Sequence, residues 1–266
     1  MDRIRPLTLL ILSALLAGCA GAHNPDDPLE PLNRGIYRFN DTMDKAVIKP
    51  IAKGYNAAMP TVGRNMVTNF FSNLDDVVVT ANDLLQFKLE QGFSDGMRFL
   101  VNSTIGVFGL IDVASTTGLK KHHEDFGQTL GKWGIGNGPY LVLPILGPST
   151  LRDSAGLYID TIPDPMYQIE PVRTRNQVYV TQKINRRAEL LDQEKILDEA
   201  MVDRYEFIRD TYLLYRKNKL YDGNPPRRKY DDEENGDATP PQPSPATGAP
   251  AAPADTSPPT QQSLPK

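Results

Sequence analysis

The stretch IGVFGLIDVASTTGL (residues 105–119) decides how this chain is read. It is strongly apolar, punctuated by Gly106, Gly109 and Gly118, and too short to cross a bilayer as an ordinary helix. A second stretch of the same character, GIGNGPYLVLPILGP (residues 134–148), follows a polar segment at 120–133. Two apolar, flexible arms around a polar bend predict a hairpin that lies along, or dips into, a greasy environment. Packing of the same apolar residues into an ordinary core is the competing reading.

Outward from this pair the pattern is helical. Leu32, Ile36, Phe39, Met43 and Val47 recur at three- and four-residue steps and share one helical face. Pro50 and Pro60 suit first-turn positions of the next two helices. Phe70, Phe71, Leu74, Val77, Val78 and the run to Leu85 predict further short helices, and another begins near Leu89. A short helix is expected over 153–159, then two longer ones over about 172–197 and 198–220. The last carries a stripe of Phe207, Ile208, Thr211, Tyr212, Leu214 and Tyr215.

Both ends differ from the middle. Arg3 and Arg5 precede an apolar run at 7–16 of signal-peptide length, which ends in Leu16-Ala17-Gly18-Cys19. Small residues before the chain's single cysteine predict a lipoprotein signal peptide over 1–18 and a lipid anchor on Cys19. Acyl chains, at ~0.8 kcal/mol per buried CH₂, would hold the mature protein on a membrane. Residues 19–28 form a lipidated tether, at most ~30 Å long when extended. Ala20, rather than Asp, after the cysteine points to sorting toward the outer membrane, on its periplasmic face. Residues 223–266 hold 11 of the 23 prolines and too little apolar surface to order themselves, so a disordered tail is expected. The folded domain is therefore expected over 29–222.

Few residues offer chemistry. His122-His123-Glu124-Asp125 is the one cluster with metal-ligand character, but adjacent histidines diverge, and zinc needs three or four converging ligands. A solvated polar bend without metal is expected. GKWGIGNG (131–138) lacks the strand and the Lys-Ser/Thr of a phosphate loop. Ser154 lies outside a nucleophile elbow, and Asp153 suits a helix N-cap or first turn. Arg173, Arg175, Lys183, Arg186 and Arg187 form a basic stretch that reads as a solvated face or a contact for phosphates. No catalytic set and no cofactor are expected. The net charge of −4, with no basic face interleaved with aromatics, argues against nucleic acid.

Several long motifs occur in a family's order and spacing. They are DPLEPLNRGIYRFN (27–40), NFFSNL (69–74), RFLVNSTIGVFGLIDVA (98–114), FGQTLGKWGIGNGPYLVLPILGPSTLRDSAG (126–156) and RRAELLD (186–192). With the lipobox they resemble the MlaA (VacJ) outer-membrane lipoproteins over about 26–222. The resemblance implies an all-α, ring-shaped helical domain embedded in one leaflet, with a glycine-hinged apolar hairpin and a central amphipathic channel. It implies removal of mislocalised phospholipid from the outer leaflet, handover to a soluble periplasmic carrier of the Mla type, and work beside a trimeric porin.

Under that resemblance Asn102, Ser103, Thr104, Asp112, Ser115, Thr116 and Thr117 are the expected polar lining. Val107, Phe108, Leu110, Ile111 and Val113 are the expected lipid-facing side, Gly134 and Gly136 the hinge, and Phe39 and Asn40 the channel support. Two other functions compete: a scaffold linking outer membrane to cell wall through the tail, and a membrane-anchored phospholipase or acyltransferase drawing on Ser154 or His122.

Overall fold

The computed structural model describes residues 24–191, 193–194 and 203–226, all within the unit Met1–Pro226. Cys19, the signal segment, most of the tether and nearly all of the expected tail lie outside the described residues. So does the junction between the two last expected helices.

The described chain is mostly helical. Helix α1 (Glu30–Met43) runs through a wide turn (Asp44–Ile48) into α2 (Lys49–Ala58), with Pro50 in the first turn of α2. Pro60 sits at the N-cap of α3 (Thr61–Leu85) instead of inside its first turn. The short helices expected here are one helix of 25 residues, because no Gly or Pro interrupts the chain between Gly63 and Leu85. Helix α4 (Leu89–Thr104) returns against α3, followed by one turn, α5 (Val113–Thr116), and a short α6 (Phe126–Lys132).

The segment expected to form the second apolar arm departs from an all-helical fold. Strands β1 (Tyr140–Leu143) and β2 (Gly147–Thr150) pair antiparallel, with Tyr140 opposite Thr150 and Leu143 opposite Gly147. The alternating burial of YLVL, with Tyr140 and Val142 inward, is the period-2 pattern of a half-buried strand. Helix α7 (Leu151–Asp160) follows, with Thr150 as its N-cap and Asp153 as its first-turn acid. A 3₁₀ turn (Pro165–Gln168), α8 (Val172–Glu189) and α9 (Arg204–Leu220) complete the described elements.

Burial is inverted. Among the described residues 20 polar or charged side chains are buried against 11 hydrophobic ones, while 32 large hydrophobics are exposed. Apolar packing is confined to two small clusters. One is Ala52, Ala188 and Leu191 with Tyr55; the other is Tyr140, Val142 and Tyr205 with Ile36, Tyr37, Tyr212 and Leu213. The predicted faces of α1 and α9 split accordingly: Ile36 and Tyr212 pack inward, while Leu32, Phe39, Val47, Leu214 and Tyr215 are exposed. No helix among the described residues is long and apolar enough to cross a membrane.

Candidate functional site: the polar-backed turn and the hairpin

The stretch 105–119 is held by side chains rising from α3 and α4. Asn69, Asn73, Asp76 and Asp83 on α3 meet Asp95, Arg98 and Asn102 on α4, and most of them are buried in the interface. Arg98 is 2% exposed and is the hub. Its Nη1 donates to Ser115 Oγ at 3.1 Å and to the Leu119 carbonyl at 2.5 Å. Its Nη2 donates to both Asp112 oxygens at 3.3 Å, and its Nε lies 3.7 Å from Asp76. Asn102 donates to Asp112 Oδ1 at 3.0 Å and accepts from the Ala114 N–H at 2.8 Å. Asp112 also caps α5 through Ser115. Burial pushes the Asp112 carboxyl up, but hydrogen bonds from Ser115 and Asn102 and the Arg98 charge outweigh it and hold it at about 2.

Between Asn102 and Asp112 the backbone turns through three successive left-handed residues, Val107 (φ 54°), Phe108 (φ 57°) and Gly109 (φ 83°). A β-branched residue in this region is strained, and such strain survives only where surrounding contacts over-determine it. Here they do. Gly109 N–H donates to Asn102 O at 2.8 Å, Ile111 N–H to Gly106 O at 2.9 Å, and Asn69 Nδ2 to Leu110 O at 3.1 Å. Glycine is required for space: a Cβ on Gly106 would lie 2.2 Å from Ile111 O, and one on Gly109 2.6 Å from Asn73 Nδ2. The turn drives Ile105, Val107, Phe108 and Ile111 outward, Phe108 to 78% exposure.

The expected residues therefore fall into three groups. Val107, Phe108 and Ile111 are exposed, and Leu110 and Val113 half-buried. Asn102, Ser103 and Asp112 point into the protein, where Ser103 Oγ accepts from Asn73 Nδ2 at 2.9 Å. Thr104, Ser115, Thr116 and Thr117 are exposed, and the three threonine hydroxyls donate to carbonyls of their own turns.

The polar bend is packed rather than solvated. Lys121 Nζ donates to Ser72 O at 2.8 Å and pairs with Asp76; His122 Nδ1 lies 2.7 Å from Asp95 Oδ2; Glu124 is buried against Lys88 at 2.9 Å. The bend lies over buried carboxylates that the sequence pattern alone did not place beneath it. Burial and the Asp95 carboxylate push Asp83 up to about 8.

Asn40 has a definite role. Its Nδ2 donates to Leu143 O at 2.9 Å and its Oδ1 accepts from the Ile145 N–H at 2.8 Å, gripping the hairpin turn. Asn33, two helical turns earlier, repeats the motif: Nδ2 donates to Tyr140 O at 3.0 Å and Oδ1 accepts from Val142 N–H at 2.9 Å. Seven residues of helix rise ~10.5 Å and three of strand ~10 Å, so α1 and β1 keep step. Phe39, beside Asn40, is 50% exposed. Gly134 (φ 92°) ends α6: its N–H donates to Gly131 O and that of Ile135 to Leu130 O, a left-handed C-terminal cap. Gly134 and Gly136 both face open space.

A second charged hub was missed in the sequence. Arg216 on α9 clamps Asp153 at 2.8 Å and Asp125 at 2.5 Å, and Tyr212 Oη donates to Asp153 at 2.9 Å. Desolvation opposes the Arg216 charge, but both carboxylates outweigh it and raise its pKa. Next to it α6 and α7 touch at Gly127 and Gly156, where a Cβ on Gly156 would lie 2.3 Å from Gly127 N. The glycines in FGQTLG and LRDSAG were the available signal. Ser154 Oγ is engaged with Ser149 Oγ at 2.9 Å and Thr150 O at 2.8 Å, while the His122 ring faces Asp95. In α8, Arg187 is tied to Asp44 and Glu194, and Arg173 and Arg186 are exposed.

The chain is similar to known proteins over most of its length. The family model described as MlaA lipoprotein matches residues 25–219. The intermembrane phospholipid transport system lipoprotein MlaA of Shigella flexneri is 34% identical over 220 residues, covering 79% of this chain and 86% of that protein. Its counterpart in Haemophilus influenzae is 31% identical, covering 82% and 90%. A structure solved for the structural basis of maintenance of bacterial outer membrane lipid asymmetry aligns with a TM-score of 0.65 at 33% identity. It covers 73% of this chain and 98% of its own. The chain belongs to the MlaA lipoprotein family.

Proposed function

We propose that this chain is an outer-membrane lipoprotein, anchored through Cys19, that removes mislocalised phospholipid from the outer leaflet and so maintains lipid asymmetry. The helical domain is sunk in the inner leaflet as a ring around an amphipathic passage. A soluble periplasmic carrier of the Mla type takes up the lipid, and a trimeric porin stands alongside. No bond in the lipid is made or broken.

The observation that carries this reading is the inverted burial. A protein surrounded by water hides its large apolar side chains, and wide apolar exposure marks a partner surface. Here Phe87, Phe93, Phe108, Ile145 and Leu214 are each exposed by two-thirds or more, while aspartates, asparagines and arginines fill the interior. That arrangement suits acyl chains outside and a headgroup path inside, since an unpaired polar group in hydrocarbon costs several kcal/mol. Because Asn102 is buried and Ser103 and Asp112 are half-buried, the exposed lining narrows to Thr104, Ser115, Thr116 and Thr117. The Val107–Phe108–Ile111 edge faces lipid, with Gly134 and Gly136 as the hinge.

The test is the amount of phospholipid in the outer leaflet, read through hepta-acylation of lipid A by an outer-leaflet acyltransferase. Deleting the gene should raise it, and the intact gene should restore it. A Gly134→Pro, Gly136→Pro variant that folds should not restore it, since proline fixes φ near about −65° at both positions and cannot take the 92° of Gly134. An unchanged outer leaflet on deletion would sink the reading. Loss of function on removing residues 224–266 alone would favour the scaffold.

A further inference from the structure

A cavity of about 680 Å³ opens between the start of α4 and residues 118–122, away from the strained turn. It is lined by Phe87, Lys88, Leu89, Glu90, Gln91 and Ser94 on one side, and Gly118, Leu119, Lys120 and His122 on the other. The volume lies within the ~300–1,000 Å³ range of small-ligand sites. Two features give it a chemical character.

The first is charge. Lys88 is neutralised, 2.9 Å from Glu124 and 2.5 Å from Asp222. His122 commits Nδ1 to Asp95, which leaves Nε2 without a partner among the described residues. Behind Asp95 lies Asp83, also fully buried, and burial beside Asp95 pushes its carboxyl up to about 8. The lining charges without an ion-pair partner among the described residues are then Lys120 and Glu90, one of each sign, both exposed. A purely anionic ligand would leave Glu90 opposed to it, and a cation would leave Lys120 so; a zwitterion satisfies both. The second feature is the rim. Phe87, at 84% exposure and a left-handed φ of 60°, and Leu89, at 64%, stand beside the opening and supply apolar contact for acyl chains.

We propose that this cavity holds the zwitterionic headgroup of a phosphoethanolamine lipid, with its phosphate on Lys120 and its ammonium on Glu90. The assignment rests on the transport reading above and adds to it a headgroup preference and a second lipid contact outside the 104–117 lining. The apolar rim favours a lipid over free glycerophosphoethanolamine, which carries the same headgroup.

The full lipidated chain, purified in mild detergent, is offered equimolar phosphatidylethanolamine and phosphatidylglycerol, and the retained lipid is counted by native mass spectrometry. The wild type should favour phosphatidylethanolamine. Glu90→Gln should shift the ratio toward phosphatidylglycerol by about tenfold, the worth of one charge-assisted hydrogen bond. Lys120→Ser should weaken both lipids by a similar factor. Both positions are exposed, so circular dichroism should show unchanged helix content. Equal retention of the two lipids by the wild type, or wild-type ratios in both variants, overturns the proposal. Displacement of the lipid by equimolar glycerophosphoethanolamine would also overturn the lipid assignment. The deletion strain separates this from the parent reading: a raised outer-leaflet phospholipid level alongside unchanged ratios refutes the cavity alone, and no rise refutes transport itself.

Discussion

Two apolar segments with glycine at similar density, 105–119 and 134–148, look alike as letters and are built on opposite principles. In the first, Gly106 and Gly109 are demanded by crowding, lying where any Cβ would collide, and only Gly118 at its end is open. The segment is fixed from behind by the buried Arg98 and Asn102, which hold its half-buried Asp112. In the second, Gly134, Gly136 and Gly147 face open space and serve backbone angle or slack instead, while Gly138 alone has a close neighbour, Leu151 at 3.1 Å. Its hairpin is held by neutral amides of α1 and a small apolar cluster around Tyr140. One arm is a rigid, charge-backed projection, and the other is a paired ribbon on an unhindered leash. Glycine count cannot separate these cases, whereas the neighbours of each absent Cβ can.

The sharpest way to break the contrast is Arg98→Met. It leaves Asp76 and Asp112 without their shared cation and should destabilise the domain by about 3–5 kcal/mol in denaturant melts in detergent. A loss under about 1 kcal/mol would mean the charge hub does not hold the first arm. Next comes a matched pair of glycine substitutions. Gly109→Ala meets both a left-handed φ and the Asn73 side chain and should cost ~2 kcal/mol or more, while Gly134→Ala meets only the φ, about 1–2 kcal/mol. Equal costs would erase the distinction between crowding and freedom.

Asn40→Leu removes two hydrogen bonds from the hairpin turn. Hydrogen exchange at the Ile145 amide should accelerate by roughly tenfold, with the Gly109 amide unaffected. If lipid asymmetry were unchanged in that variant, Asn40 would have no part in supporting the passage. The smallest effect is on pH. Asp112 has its folded pKa lowered to about 2, so its contribution is present above the usual carboxylate value near 4 and lost as pH falls through 2. Exchange in the first arm should rise over that window, and Asp112→Asn should flatten the rise.

Much of the helical layout was legible because capping and proline rules are local. Pro50, the start near Leu89 and the first-turn Asp153 lie where short-range chemistry puts them. The 25-residue α3 was not, because its stripe of Asn69, Asn73, Asp76 and Asp83 looks like an exposed polar face and is in fact largely the inner one. The same inversion hid Arg98 and Arg216. Periodicity finds a helix's two faces but does not say which is inside when the outside solvent is not water. The β-hairpin was obscured differently: its strands are four residues each, and flanking glycines resembled hinge points.

The two asparagines of α1 act as a rack to the pinion of the hairpin. Because Asn33 grips β1 and Asn40 the hairpin turn, each as donor and acceptor at once, the ribbon cannot slip by one residue without breaking four hydrogen bonds together. Turning α1 by one residue, 100°, would disengage both teeth. Any load on the exposed Leu32–Phe39 side of this helix would therefore reach the hairpin turn as through a lever, without touching it.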